Sequence, residues 1–201
     1  MISPYEARES NYCYKGTNVL KNKANIKSLE NLEKLEKDIV TYRLYELRQK
    51  GITGEFDKKH FLNIHKNIFK DIYDFAGKYR NENIAKGSFL FSNFEFIDYS
   101  LDEIFKDLKK DMESGIFENN KISDFAKKLA YYYAEFNVVH PFREGNGRTT
   151  REFLRQLALK YGYILDFTRI SADEILRAAI KSITDITELT DVYEKALKKK
   201  F

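Results

Sequence analysis

Twelve consecutive residues, His140 to Arg151, concentrate the residue types that handle phosphate groups. A histidine has an ordinary pKa near ~6.5, so His140 can accept a hydroxyl proton at neutral pH. Glu144 offers a hard oxygen ligand of the kind that Mg²⁺ uses when it is held by one carboxylate and substrate phosphates. The segment therefore combines a base for an attacking alcohol with a ligand for the cation that accompanies nucleotides.

The middle of this segment predicts an anion-binding turn. Gly145 and Gly147 allow backbone angles that let successive N–H groups converge on one anion. An apolar period resumes at Phe153 and predicts a helix that begins near Asn146, with its positive end directed at the same anion.

Two arginines follow the turn. Arg148 and Arg151 are three residues apart and share a helical face, and guanidinium groups suit bidentate phosphate recognition. Taken singly, these features also fit an ordinary turn followed by solvent-facing arginines. Taken jointly, chance produces the combination at only ~10⁻¹⁰ per start position.

The complete stretch resembles the signature of the Fic family, His-x-Phe-x-(Asp/Glu)-Gly-Asn-Gly-Arg-x-x-Arg, with every fixed position filled. The resemblance implies a protein adenylyltransferase that uses ATP and Mg²⁺ to place AMP on a Tyr, Thr or Ser hydroxyl of a target protein. It implies that His140 is the general base, that Glu144 is the magnesium ligand and that Phe142 anchors the loop in the core. The nucleotide-binding residues that it implies are Lys86, Gly87, Gly145, Asn146, Gly147, Arg148 and Arg151, with Arg151 on the γ-phosphate.

A second segment strengthens the resemblance. Residues 71–80 and 83–87 are similar to the approach to the family's flap, and the flap itself would run from Ser88 to Phe96 as an extended hairpin. By family analogy Ser88, Phe89, Leu90 and Phe91 would pair with the main chain of a target segment. The alternative is that Phe89 and Phe91 cover an edge of the core.

Composition limits the class of protein. The 201 residues suit one domain, and the net charge of +4 is too small and too dispersed to indicate nucleic-acid binding. The chain has one cysteine and no recognisable secretory signal or long apolar run. These features favour a cytoplasmic protein without membrane partners. Export as an effector stays open.

Apolar periodicity predicts an all-α fold, a helical bundle with one small β-hairpin. The resemblance implies that this bundle is of the Fic type and that the hairpin is the flap over the active site. We expect a leader over 1–26 and a single Fic domain over 27–201, with its core at about 56–165. The predicted helices, of which Ser28 and Ser171 would cap two, are 28–50, 57–73, 98–112, 123–139, 146–161, one from 171, and 189–200. His60 and His65 suit structural roles better than metal ligation, since they are five residues apart on one helix.

Regulation has two candidate routes. The family's inhibitory helix carries Ser/Thr-x-x-x-Glu-(Gly/Asn), whose glutamate pairs with the last arginine of the signature, here Arg151. Residues 114–119 match this pattern by coincidence beside a helix end, whereas Glu188 and Glu194 match it only in part. Residues 12–23 resemble the leader of Fic toxins and effectors, which favours a separate small antitoxin as the inhibitory partner.

Other activities remain open. The same scaffold moves UMP, phosphocholine or, in the Doc branch, a γ-phosphate, although that branch carries Lys where this chain has Gly147. A non-catalytic ATP- or peptide-binding module is the alternative outside catalysis. The target protein and the oligomeric state leave no readable record in the sequence.

Overall fold

The computed structural model describes residues 10–87, 89–118 and 121–200. These ranges contain seven α-helices and two short antiparallel strand pairs, so the mainly helical prediction is confirmed. In chain order the elements are α1 (Leu29–Lys50), α2 (Lys58–Phe69), β1 (Ala85–Lys86), β2 (Phe89–Leu90), a 3₁₀ turn (Phe94–Phe96), α3 (Ile97–Glu113), α4 (Ile122–Val139), α5 (Asn146–Lys160), β3 (Tyr163–Leu165), α6 (Ala172–Lys181), α7 (Thr187–Ala196) and β4 (Leu197–Lys199).

Helix boundaries follow local capping chemistry. The Ser28 and Ser171 side chains accept hydrogen bonds from backbone N–H groups in the first turns of α1 and α6, as predicted. Gly51 ends α1 in a positive-φ conformation, and its N–H donates to the Leu47 carbonyl. The sequence alone therefore located both ends of α1.

Two compact units make up the chain, and the first comprises the residues up to Asp98 together with His140–Thr149. Helices α1 and α2 pack together in it, and the buried face of α2 carries large apolar side chains such as Phe61, Ile64, Ile68 and Phe69. The described part of the leader belongs to this unit. Its Lys23 N–H donates to the Ile72 carbonyl over 2.9 Å.

The hairpin differs from the predicted flap. Ala85 pairs with Leu90 and Lys86 with Phe89, so the second strand ends at Leu90 instead of running on to Phe96. Residues 94–96 form the 3₁₀ turn, in which the Asn93 side chain accepts the Glu95 N–H. This local side-chain bond competes with strand pairing and ends the hairpin early.

The second unit comprises residues 99–139 and 150–201. Helix α4 packs against α7, which in turn packs against α6. Aromatic rings fill the core, and Phe105 contacts both Phe136 and Phe153, with ring centroids 5.4 and 5.7 Å apart. None of the described helices is long and apolar enough to cross a membrane.

The predicted final helix over 189–200 is wrong at both ends. Helix α7 starts at Thr187 and stops at Ala196, and β4 pairs antiparallel with β3, with Leu197 opposite Leu165. The Lys198 ammonium also pairs with Asp166 over 2.6 Å. A strand of this length depends on a partner edge that is distant in sequence, which helical periodicity does not reveal.

Candidate active site

The His140–Arg148 segment is closed on itself by one amide side chain. Asn146 Oδ1 accepts the Phe142 N–H over 2.8 Å, and Asn146 Nδ2 donates to the Phe142 carbonyl over 2.7 Å. Phe142 is fully buried, and its ring stacks on His65 with centroids 3.7 Å apart. Phe142 thus anchors the loop as expected, and Asn146 retains one amide hydrogen for another acceptor.

Gly145 is required at its position. Its φ is +84°, and a Cβ there would lie 2.2 Å from atoms of the Phe69 ring. The tight passage over this ring lets α5 begin at Asn146 with Gly147 as its second residue. The first backbone N–H groups of a helix have no acceptor within that helix, so this end of α5 attracts an anion.

Glu144 keeps one carboxylate oxygen available. Its Oε1 accepts the Gly145 N–H over 2.8 Å and an Arg148 Nη2–H over 3.1 Å, whereas Oε2 has no hydrogen-bond partner among the described residues. Burial raises the pKa of this carboxyl, and the positive charge of Arg148 opposes the rise. A single carboxylate with a free oxygen fits Mg²⁺, which takes its other ligands from phosphates and water.

Arg148 is held on three sides. Its Nη1 donates to Glu36 Oε1 over 2.6 Å, its Nη2 donates to Glu144, and its guanidinium carbon lies 4.8 Å from the centre of the Phe69 ring. Burial opposes its charge, but the neighbouring Glu36 and Glu144 carboxylates leave its pKa raised, so the group stays cationic. Its cation is therefore fixed in place before any phosphate arrives.

Glu36 and Tyr73 are site residues that the sequence analysis missed. The Tyr73 hydroxyl donates to Glu36 Oε2, and the Tyr73 ring stacks on Phe75 with centroids 4.6 Å apart. Burial, followed by the Glu36 charge, raises the pKa of Tyr73. The spacing along α1 could have indicated Glu36. It is four residues from both Leu32 and Val40, so it lies on the same helical face as these two apolar residues, which the structure buries.

His140 has a left-handed backbone. It directly follows α4, and its φ of +47° is uncommon for a residue with a side chain. Its ring is buried and stacks on Phe91, with centroids 3.9 Å apart. Such a conformation costs on the order of 1–3 kcal/mol and persists only where the surroundings hold it.

Arg80 supplies part of that support and was also missed. This buried side chain donates from Nε to the His140 carbonyl over 2.8 Å, and its backbone N–H donates to the Pro141 carbonyl over 2.8 Å. Its Nη2 donates to the Ser92 carbonyl, just beyond β2. Arg80 therefore joins the start of the signature loop to the end of the hairpin.

His65 is a neutral connector. The Gly77 N–H donates to its Nδ1 over 2.8 Å, so the proton must be on Nε2, which donates to the Glu144 carbonyl over 3.0 Å. Complete burial lowers its pKa to about 3. The predicted structural role of His65 agrees with these contacts, and those contacts also fix the backbone of Glu144.

The hairpin residues differ in exposure. Lys86 and Gly87 are exposed, Phe89 is half-buried, and Leu90 is 65% exposed. Phe91 is buried against His140, so the alternative of a core-covering aromatic describes Phe91. Ser88 lies outside the described residues.

Arg151 belongs to the second unit. It makes no hydrogen bond or ion pair with any described residue, and its charge acts on Tyr193, whose buried hydroxyl has no partner in the described chain. The inhibitory candidate Glu188 pairs instead with Lys181 over 2.8 Å and with Arg177 over 3.4 Å.

The other two matches to the inhibitory pattern differ in setting. Glu194 is exposed on α7. Residues 114–118 form turns beyond the end of α3, and Asn119 lies outside the described residues.

Comparison with solved structures supports the fold. The crystal structure of BepC from Bartonella tribocorum, which contains bound AMPPNP, superposes with a TM-score of 0.85 at 24% identity, covering 95% of this chain and 98% of BepC. The type IV secretion effector BepA superposes with a TM-score of 0.81 at 24% identity, covering 93% of this chain and 68% of that one.

Sequence comparisons identify relatives of the same family. The protein adenylyltransferase VbhT of Bartonella schoenbuchensis is 37% identical over 89% of this chain, which spans 37% of VbhT. The probable protein adenylyltransferase y4lH of Sinorhizobium fredii is 34% identical, and the match covers 90% of this chain and 91% of y4lH. The family model described as Fic/DOC matches residues 55–158. On its signature loop, its fold and these matches, the chain belongs to the Fic/DOC family.

Proposed function

We propose that the chain is a protein adenylyltransferase that transfers AMP from ATP to a Tyr, Thr or Ser hydroxyl of another protein. The observation that carries this proposal is the Glu144–Arg148 pair at the start of α5, where one carboxylate oxygen stays open beside a fixed guanidinium. The relatives named as adenylyltransferases support the same reaction class.

Nucleotide binding would use the first turn of α5 together with its flanking charges. Backbone N–H groups from Asn146 onward and the Arg148 guanidinium would hold the phosphates. Glu144 Oε2 would hold Mg²⁺, which neutralises charge on the phosphates when it is bound. Arg151 would hold the γ-phosphate.

His140 would act as the general base. The target hydroxyl oxygen attacks the α-phosphorus, its proton passes to the His140 ring, and the bond from the α-phosphorus to the bridging oxygen breaks to release pyrophosphate. The Phe91 ring and the Arg80 contact to the His140 carbonyl would keep the imidazole oriented for this transfer. The exposed edge at Leu90 would receive the main chain of the target.

The test is label transfer in a cell lysate with Mg²⁺ and ATP labelled at either the α- or the γ-phosphate. His140→Asn is the informative variant, because Asn tolerates positive φ but cannot serve as a base at neutral pH. We expect α-label on protein with the native chain and a loss of about 10²–10⁴-fold with the variant. Transfer of γ-label would instead indicate phosphate transfer. Absence of both labels and of ATP binding by calorimetry would leave a peptide-binding module.

A further inference from the structure

Glu36 is a largely buried carboxylate to which the proposed reaction assigns no role. It comes from the middle of α1, and both of its oxygens are engaged, Oε1 by Arg148 and Oε2 by the Tyr73 hydroxyl. Only 16% of its side chain is exposed. A negative group fixed against a phosphate-binding arginine weakens that arginine's attraction for anions unless it serves another purpose.

Glu36 shares Arg148 with the Glu144 carboxylate, and this sharing suggests such a purpose. The guanidinium donates Nη1–H to Glu36 and Nη2–H to Glu144 Oε1, so three of its five N–H groups remain for a ligand. Glu144 Oε2 has no hydrogen-bond partner among the described residues. Glu36 and Glu144 thus each accept one hydrogen bond from the same guanidinium.

Removal of Glu36 would change this division. A guanidinium with one carboxylate neighbour prefers a bidentate pair that engages both oxygens. Arg148 would then turn onto Glu144 and cover Oε2, the atom that fits a cation. The Arg148 guanidinium carbon lies 4.8 Å from the centre of the Phe69 ring, and this contact does not depend on which carboxylate Arg148 pairs with.

We infer that Glu36, oriented by Tyr73, is a positioning residue that keeps Arg148 off Glu144 Oε2 and thereby sets the magnesium requirement for nucleotide binding. This role rests on the proposed function of the site. It predicts that loss of Glu36 affects magnesium-dependent ATP binding more than ATP binding without the metal.

The experiment measures ATP binding by isothermal titration calorimetry in a His140→Asn background, which prevents turnover, across a Mg²⁺ series and in EDTA. For Glu36→Ala we expect the half-saturating Mg²⁺ concentration to rise about 10–100-fold, the range seen when partners of metal ligands are removed. Affinity in EDTA should change little. Glu36→Gln keeps an oxygen acceptor for Arg148 and should recover part of the loss, and Tyr73→Phe should shift the requirement in the same direction by less.

Glu46→Ala is the matched control, since Glu46 lies on the same helix and also pairs with an arginine, Arg43. An equal Mg²⁺ requirement in the Glu36 and Glu46 variants would overturn the inference. Tighter ATP binding by Glu36→Ala in EDTA would also overturn it, because Glu36 would then compete with phosphate. If the parent binds no ATP even with Mg²⁺, the proposed function itself fails.

Discussion

Arg148 and Arg151 lie one turn apart on α5 but have different surroundings. Arg148, in the first unit, contacts two carboxylates and an aromatic ring. Arg151, in the second unit, has no ion-pair partner among the described residues. A cation that is already paired in the protein is positioned before a ligand binds, whereas an unpaired one is available to either a phosphate or an inhibitory carboxylate.

We expect the largest difference in the cost of a substitution between two glycines with similar backbone angles, one in each unit. Gly145 and Gly162 have φ values of +84° and +79°, but only Gly145 lacks space for a Cβ. Gly145→Ala should lower the free energy of unfolding by about 3 kcal/mol or more, through strain and overlap with Phe69. Gly162→Ala should cost only about 1 kcal/mol, through strain alone. Urea unfolding of both variants checks this, and equal costs would contradict a tight loop.

The two arginines themselves give the next contrast. Arg148→Ala leaves Glu36 and Glu144 without their shared cation and should cost about 2 kcal/mol of unfolding free energy, given their partial exposure. Arg151→Ala should change stability by less than about 0.5 kcal/mol, because Arg151 has no ion pair with a described residue. Arg151→Ala should weaken the binding of ATP and leave the binding of ADP unchanged, whereas Arg148→Ala should weaken the binding of both nucleotides. Thermal unfolding and calorimetry measure these effects, and a loss of ADP binding in the Arg151 variant would remove the contrast.

His65 gives an effect on stability that depends on pH. Its pKa is about 3 in the folded chain and near ~6.5 when unfolded, so the unfolded state binds an extra proton between these values. The contribution of His65 to the free energy of unfolding should therefore be fully present above pH 6.5 and fall by about 1.4 kcal/mol per pH unit as the pH decreases below it.

Urea unfolding from pH 7.5 to 5.0 measures this slope, with His65→Gln as the control that lacks it. Nitrogen-detected NMR of the native chain should also show a neutral ring protonated on Nε2 at pH 5. Protonation of His65 near pH 6 would contradict the connector role.

Local chemistry explains which parts of the fold were predictable. The Ser28 and Ser171 caps and the Gly51 stop depend on contacts within a few residues, so they can be read from spacing. Strand β4 depends on pairing with β3 more than thirty residues earlier, and it was predicted as helix. The hairpin lies earlier in the chain than the alternation of Phe89 and Phe91 predicts, and the Asn93 side chain accepts the Glu95 N–H where that alternation predicts a strand.

The signature loop, the helix that begins at Asn146 and the family resemblance are all predictable from the amino-acid sequence, because they depend on residue type at fixed short spacing. Tertiary structure alone decided the partners of these residues. Glu36 meets Arg148, His65 meets the Glu144 carbonyl, and Arg80 meets the His140 carbonyl only after distant segments pack together. Such contacts combine burial with hydrogen bonding between residues far apart in the chain, and no local period encodes them.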